Sequence, residues 1–481
     1  MYDVLIVGGG VIGCSIAREL SRTTLNIAVV ERNYDLSKET SGANSGCVHA
    51  GYDPEPGTLM SKFNVEGSIM FEQLSEDLDF GFIRPGAVLL AFDEEDLKTV
   101  DMLLDRARKV HVEGCYKMTP EEILAVEPHV NPDILGGMYM PNGNATPFEM
   151  TIAMMENAIE NGAELFLNSE VTAIERRQDG VFVVRAGEHT LETRSIINSA
   201  GIHAGDISRM AGGEELKQIG RRGDYLLYDT KYGHMIHGTI FPCPSKKGKG
   251  VLIIPTVEGN ILVGPTSIDT EDIDDKKTIQ EELDDVYENA LRCIPGLPRD
   301  GVIATFMGLR AVGEKHDFLI EPSKKAPGLL NMWGIASPGL TSSPPMSMYV
   351  AEMLEEMLGE PFESDTEFNP IRKGIKHFAH LSWEQREQLI AQDSRYGRIV
   401  CRCESVTEGE IVDALHRTPS VGALDAIKHR TRAGSGRCQG GFCTCRVMEI
   451  IHRELGTPIE EICKGHPGSN IVVGQLKDFG V

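Results

Sequence analysis

The sequence predicts an α/β protein in three parts: a doubly wound parallel sheet, a lobe built on an antiparallel sheet, and a small helical unit at the C-terminal end. Three observations carry this. DVLIVGGGVIGCSIARELSR followed by NIAVVER reads as strand, glycine turn, helix and strand, the opening of a doubly wound sheet. Between residues 221 and 310 short apolar strands recur, among them DYLLYD, GVLIIPT and NILVGPT, the pattern of an antiparallel sheet. Five of the chain's eleven cysteines crowd into residues 401–445.

Taken in order, the opening β-α-β unit leads into an irregular glycine-rich stretch, TSGANSGCVHAGYDPEPG, and then a helix over residues 59–74. Residues 82–139 mix strands and helices. A helix over 150–161 precedes ELFLNSEVTAIERR and RSIINSAG, which read as later strands of the first sheet. WGIASPGLTSSPPMSMYVAEMLEEML reads as a strand, a tight turn and a final helix. Beyond Pro361 the composition becomes charged and patternless. Residues 1–361 are therefore expected to hold both lobes, interleaved, residues 362–398 to form a linker, and residues 399–481 to form the cysteine-rich unit.

Composition narrows the function. A chain of 481 residues exceeds one hydrophobic core. Its net charge of −25 repels phosphate backbones and argues against nucleic-acid binding. The odd, clustered cysteines do not read as a disulfide framework. MYDVLIVGGG goes straight into a strand without a signal-peptide pattern, and no apolar run is long enough to span a bilayer. The expectation is a cytoplasmic protein, attached to a membrane only through a partner.

Gly8, Gly10 and Gly13 form G-x-G-x-x-G between a strand and a helix. Gly8 permits the tight turn, Gly10 lets the backbone approach a pyrophosphate at the helix N-terminus, and Gly13 allows close helix–strand packing. Glu31, with Arg32 beside it, ends the second strand, where a carboxylate can accept from a ribose hydroxyl. The turn alone leaves FAD and NAD open. Ser41, Gly42, Asn44, Ser45 and Gly46 offer hydroxyls, an amide and open backbone for a second contact region of an extended cofactor; a solvated loop has the same composition.

In the C-terminal unit Cys401 and Cys403 form C-x-C, and Cys438 and Cys443 form C-x4-C. Two close pairs of thiolates can hold two irons, with Lys428, Arg430 and Arg432 placed to offset the charge. A structural zinc also takes four cysteines but usually in C-x2-C pairs, so the spacing favours iron–sulfur.

GGGVIG, SGANSGCVHAGYDPEPGTL, INSAGIHA, RRGDYLLYD, GLRAV and ASPGLTSSPP together resemble the FAD-dependent oxidoreductases of the D-amino-acid-oxidase-like superfamily. Within it the nearest likeness is to glycerol-3-phosphate dehydrogenases and L-2-hydroxyglutarate dehydrogenases. CRCESVTEGEIVDAL and TRAGSGRCQGGFC resemble the bacterioferritin-associated ferredoxin-like [2Fe–2S] domain. The resemblance implies FAD, with Val171 near the adenine, Gly201 beside the dinucleotide, and Gly339, Leu340 and Thr341 approaching the isoalloxazine ring. It implies Cys401, Cys403, Cys438 and Cys443 as cluster ligands; Cys445, in CTCRV, is a fifth cysteine where the family usually has none.

The resemblance also places His49, in GCVHAG, near the flavin face, where a base would take a hydroxyl proton. Arg310, in GLRAV, is the candidate for a substrate anion. Arg222 and Tyr225 are weaker candidates, His316 and Asp317 suit a turn, and His203 has no special context. The combination of domains resembles the large subunit of anaerobic glycerol-3-phosphate dehydrogenases. The expected activity is therefore oxidation of sn-glycerol 3-phosphate, a small anionic hydroxy substrate, with electrons leaving through the cluster to a partner subunit. An L-2-hydroxy acid or amino acid dehydrogenase, and an electron-transfer subunit without its own substrate, remain the alternatives at this level.

Overall fold

A computed structural model of the protein describes residues 1–244 and 250–474. The chain divides into two compact units, Met1–Arg32 with Leu36–Arg372, and Asn33–Asp35 with Lys373–Val481, of which 475–481 lie outside the described residues.

The first unit is built on two large sheets and a small three-stranded one of Cys47–Val48, Gly143–Ala145 and Phe82–Ile83. In the first, Glu164–Phe166, Ile27–Val30, Tyr2–Val7, His189–Asn198 and Leu329–Trp333 run parallel in that spatial order. Residues 4–7 and Ile27–Val30 are buried on both faces, as their unbroken apolar runs require. Alternate residues serve opposite cores. Val4, Ile6, Ile27 and Val29 pack with the helices Val11–Leu20, Leu59–Leu78, Pro147–Glu160 and Gly339–Leu358. Leu5, Val7, Ala28 and Val30 pack beneath an antiparallel meander of Val171–Arg176, Phe182–Ala186 and His189–Asn198, with Ile207 of the helix Ala204–Met210.

The second sheet is centred on Gln218–Tyr228, which pairs antiparallel with Val302–Gly313 along its whole length. Leu252–Pro255 and Ile261–Gly264 join as expected. Three further strands come from the region whose pattern was mixed: Ala87–Ala91, Tyr116–Met118 and Gly136–Met140. Ala87–Ala91 pairs parallel with Thr239–Pro242, so the lobe is antiparallel with one parallel junction.

In the second unit the hairpin Ile399–Cys401/Val406–Thr407 precedes helices Glu408–Leu415, Leu424–Thr431 and Thr444–Leu455. Ile411, Leu415, Ile427, Ile450 and Ile451 form its core. The stretch 362–398, whose composition suggested a patternless linker, holds a helix, Trp383–Gln392. A reciprocal cap between Ser382 and Gln385 starts it, and Leu389 anchors it against Phe378 and Tyr396. The exposure of Trp383 explains why no amphipathic stripe marks this helix. No helix among the described residues is long and apolar enough to cross a membrane.

Candidate functional site

In the first unit the glycine turn, the loop after the second strand and the edge of the second sheet enclose one cavity of about 1110 Å³. Its wall brings together Gly8, Gly10, Glu31, Arg32, Ser41, Asn44, Ser45, His49, Val171, Gly201, Arg310, Gly339 and Leu340. Gly13 and Thr341 lie behind it.

The glycines differ in what they do. Gly8 has φ +112°, and a Cβ there would meet Ser199 O at 2.7 Å. A Cβ on Gly13 would stand 2.0 Å from Gly8 O, so Gly13 is required by packing. Gly10 has ordinary extended backbone, and a Cβ would meet only Ser41 Oγ, at 3.0 Å. Gly10 thus leaves open a space that a ligand can use. Glu31 accepts the Gly9 N–H at 2.7 Å and holds the turn. Arg32 ion-pairs with Glu39 at 2.8 Å.

The loop from Thr40 to Gly46 is internally braced. Ser41 Oγ accepts the Val11 N–H at 2.9 Å and docks the loop on the first helix. The Asn44 amide donates to Thr40 O and Ser41 O, and its oxygen accepts the Gly46 N–H. These side chains build the wall as well as line it. Thr341 fastens the other end: its hydroxyl accepts the His49 N–H at 3.1 Å. Asn64 donates to His49 O at 2.6 Å, so the His49 backbone is clamped on both sides. The imidazole is buried, with Nδ1 3.9 Å from Cys47 Sγ.

Arg310 faces Arg221 across the second sheet. Its Nε donates to Arg221 O, and its Nη2 to Arg222 O at 3.1 Å and Thr266 O at 2.7 Å. Among the described residues no carboxylate pairs with it, and the bonds to these carbonyls use Nε and Nη2. Burial pulls its pKa below the usual guanidinium value.

Strand alternation sorts the other candidates. Arg221 and Tyr225 line the cavity, Arg221 held by Asp269. Tyr225 stacks on Phe306 at 4.8 Å, and burial raises its hydroxyl to about 12. Arg222 points to the opposite face and pairs with Asp224 and Glu282, which removes it from the candidate site. Asp317 accepts the N–H groups of Leu59 and Met60 and caps that helix, while His316 and His203 do reach the wall. Cys47, Arg221 and Lys315 also line it and were not singled out from sequence; the strand register, which only pairing reveals, is the signal for Arg221.

The second unit holds the thiols as two couples. Cys403 Sγ and Cys438 Sγ lie 3.6 Å apart at the surface. Cys401 and Cys443 are buried and hydrogen-bonded to each other. That bond, supported by the N–H groups of Gly434 and Glu404 against the effect of burial, lowers Cys401 to about 6, while Cys443 is held well above its usual value. Cys445 is exposed. Of the three nearby cations, Arg430 is committed to Asp35 at 2.7 Å and Arg432 to Glu404 at 2.7 Å, and Lys428 is part-buried and depressed below its ordinary value by desolvation. These two arginines are neutralised by carboxylates, contrary to the charge-offsetting role their positions suggested.

Comparison with known proteins accords with this geometry. Residues 3–353 match the family of FAD dependent oxidoreductases, and residues 399–453 match the BFD-like [2Fe-2S] binding domain. The chain is 44% identical to a glycerol 3-phosphate dehydrogenase of Caloramator mitchellensis, over 99% of both chains. It is 25% identical to one subunit of the anaerobic glycerol-3-phosphate dehydrogenase of Escherichia coli K12, over 94% of this chain and 88% of that one. Among solved structures, the FAD-bound L-alpha-glycerophosphate oxidase of Mycoplasma pneumoniae superposes with a TM-score of 0.72 at 29% identity, over 77% of this chain and 98% of the other. With nearly three-quarters of its length matched and a cavity shaped around the glycine turn, this chain belongs to the FAD dependent oxidoreductases and carries, in addition, a BFD-like [2Fe-2S] domain.

Proposed function

We propose that the protein oxidises sn-glycerol 3-phosphate to dihydroxyacetone phosphate and delivers the electrons to a partner subunit. The observation that carries this reading is Arg310: a part-buried guanidinium held, among the described residues, by three backbone carbonyls, in one cavity with His49. Such a group is stabilised by an incoming anion, and its planar fork suits phosphate. The relatives named for glycerol 3-phosphate support phosphate over carboxylate.

FAD, when bound, supplies a two-electron acceptor, and the [2Fe–2S] cluster a one-electron carrier. Gly8, Gly10, Glu31, Arg32, Ser41, Asn44, Ser45, Val171, Gly201, Gly339 and Leu340 would hold the nucleotide, with Thr341 fixing the loop that carries His49. Cys401, Cys403, Cys438 and Cys443 would hold the cluster. Arg310 orients the substrate by its phosphate. His49 receives the proton of the substrate hydroxyl as the carbon is oxidised. The walls from Cys47 to Leu340 keep bulk water from the imidazole. A partner is required because a one-electron carrier needs an acceptor, and one relative matched over 94% of this chain is named as a subunit. Association with a membrane would then come through that partner.

Anaerobic mixing with glycerol 3-phosphate, 2-hydroxyglutarate and amino acids tests the substrate: bleaching of the flavin by glycerol 3-phosphate alone is expected. His49→Asn should slow that bleaching by roughly 10²–10⁴-fold with little change in substrate affinity. Arg310→Lys should weaken binding about tenfold and slow the bleaching step less, because lysine keeps the charge and loses the fork. An unchanged bleaching rate in His49→Asn would place the base elsewhere.

A further inference from the structure

The face of Gln218–Tyr228 opposite Arg221 carries a second polar assembly. Asp224 is fully buried, and its Oδ1 has no hydrogen-bond partner among the described residues. Glu282, on the helix Gln280–Cys293, reaches the same point. One guanidinium serves both: Arg222 Nε lies 3.3 Å from Asp224 Oδ2 and 3.2 Å from Glu282 Oε2. Arg222 Nη2 donates to Lys277 O, and Asp275 stands 3.9 Å from Nη1. A fully buried carboxylate and a part-buried one against one cation do not both ionise cheaply, and Glu282 is the one whose carboxyl is raised.

This assembly is tied to Arg310. The Thr266 hydroxyl accepts the Asp224 N–H at 2.9 Å and lies 3.3 Å from Asp224 Oδ2 and 3.4 Å from Glu282 Oε2. The carbonyl of that same Thr266 takes Arg310 Nη2, and so does the carbonyl of Arg222. Two of the three carbonyls that hold Arg310 therefore belong to residues clamped on the carboxyl pair.

We propose that Asp224 and Glu282 form a positioning unit for Arg310 that keeps Thr266 and Arg222 in place, and that loss of the Glu282 proton weakens capture of an anion in the cavity. The inference rests on the reading of Arg310 as the anion site. Burial first, then the Asp224 hydrogen bond and charge, push Glu282 up to about 7. The groups facing the pair are Arg222 from the same strand, Thr266 from the loop after Ile261–Gly264, and Asp275 from the segment before the helix. Below that pH the pair and Arg222 balance. Above it a second negative charge appears behind Arg310, so anion affinity falls as pH rises.

Sulfate is a suitable probe because it keeps its charge over about pH 6 to 9. Its dissociation constant from the FAD-loaded full chain is read from the flavin absorbance change. The wild type should lose roughly five- to tenfold in sulfate affinity across that range. Glu282→Gln should bind with little pH dependence, and Thr266→Val, which cuts the link while keeping the shape, should do the same. If either variant, folded and flavin-loaded, shows the wild-type pH profile, the positioning unit is refuted. Arg310→Lys separates the two readings: unchanged sulfate affinity there would refute the anion site itself, whereas weakened affinity with a wild-type profile in Glu282→Gln would refute only the carboxyl pair.

Discussion

A Gly10→Val variant should fold and come out of purification without flavin. Gly10 has extended backbone that any residue adopts, and a new Cβ meets only the Ser41 hydroxyl, which can give by a few tenths of an ångström. The branched side chain would instead fill the space where the backbone meets the pyrophosphate. A loss of at least about 100-fold in FAD affinity, about 2.8 kcal/mol, is expected, with thermal stability close to wild type because replacing glycine also restricts the unfolded chain. The flavin-to-protein ratio and a melting curve of the apoprotein check both halves. Gly13→Ala is the contrasting control: its Cβ would lie 2.0 Å from a backbone oxygen, so it should fail to fold rather than fail to bind. Stoichiometric FAD in Gly10→Val would remove this turn from the cofactor site.

Replacing Cys401 and Cys403 together by serine should abolish the cluster while leaving the first half-reaction intact. Each removed thiol belongs to a different couple, so neither iron would keep its full set. Iron content should fall to background, and turnover with the native acceptor should drop by more than about tenfold, while flavin bleaching by substrate changes little. Cys401 is part of the core of the second unit, and metal binding couples to folding in small units. Cys445→Ser provides the comparison: it is exposed and stands outside both couples, so it should keep its iron. Undiminished turnover with the native acceptor after complete loss of iron would take the cluster out of the electron path.

The glycine turn was legible because everything it needs lies within thirty residues: a strand, three glycines, a helix and an acidic residue. The cavity's far wall was legible only in part. His49 and Arg310 were found through motif likeness, whereas Arg221 was passed over for Arg222 because one residue of register decides which face of a strand a side chain takes. That register is set by pairing with Val302–Gly313, some eighty residues away. The strands at 87–91, 116–118 and 136–140 were illegible as members of the second sheet for the same reason. The helix Trp383–Gln392 did carry a local signal, Ser382 followed by Gln385, but it buries one leucine and so lacks the apolar stripe by which helices are read.

The parallel sheet also constrains the order in which the chain can be made. His189–Asn198 receives Tyr2–Val7 on one side and Phe182–Ala186 along the first half of the other, but the partner of its second half, Leu329–Trp333, lies about 130 residues further along. At about 5–20 residues per second that strand leaves the ribosome roughly 7–26 s later. Throughout that interval the nascent chain presents Ile196 and Ile197 on an open edge, a template for pairing with another chain. Ribosome-bound chains arrested before residue 329 are accordingly expected to be protease-sensitive around the first strand and to bind chaperones, and chains released beyond residue 358 to have lost both traits, because the helix Gly339–Leu358 then completes the core over Val4 and Ile6.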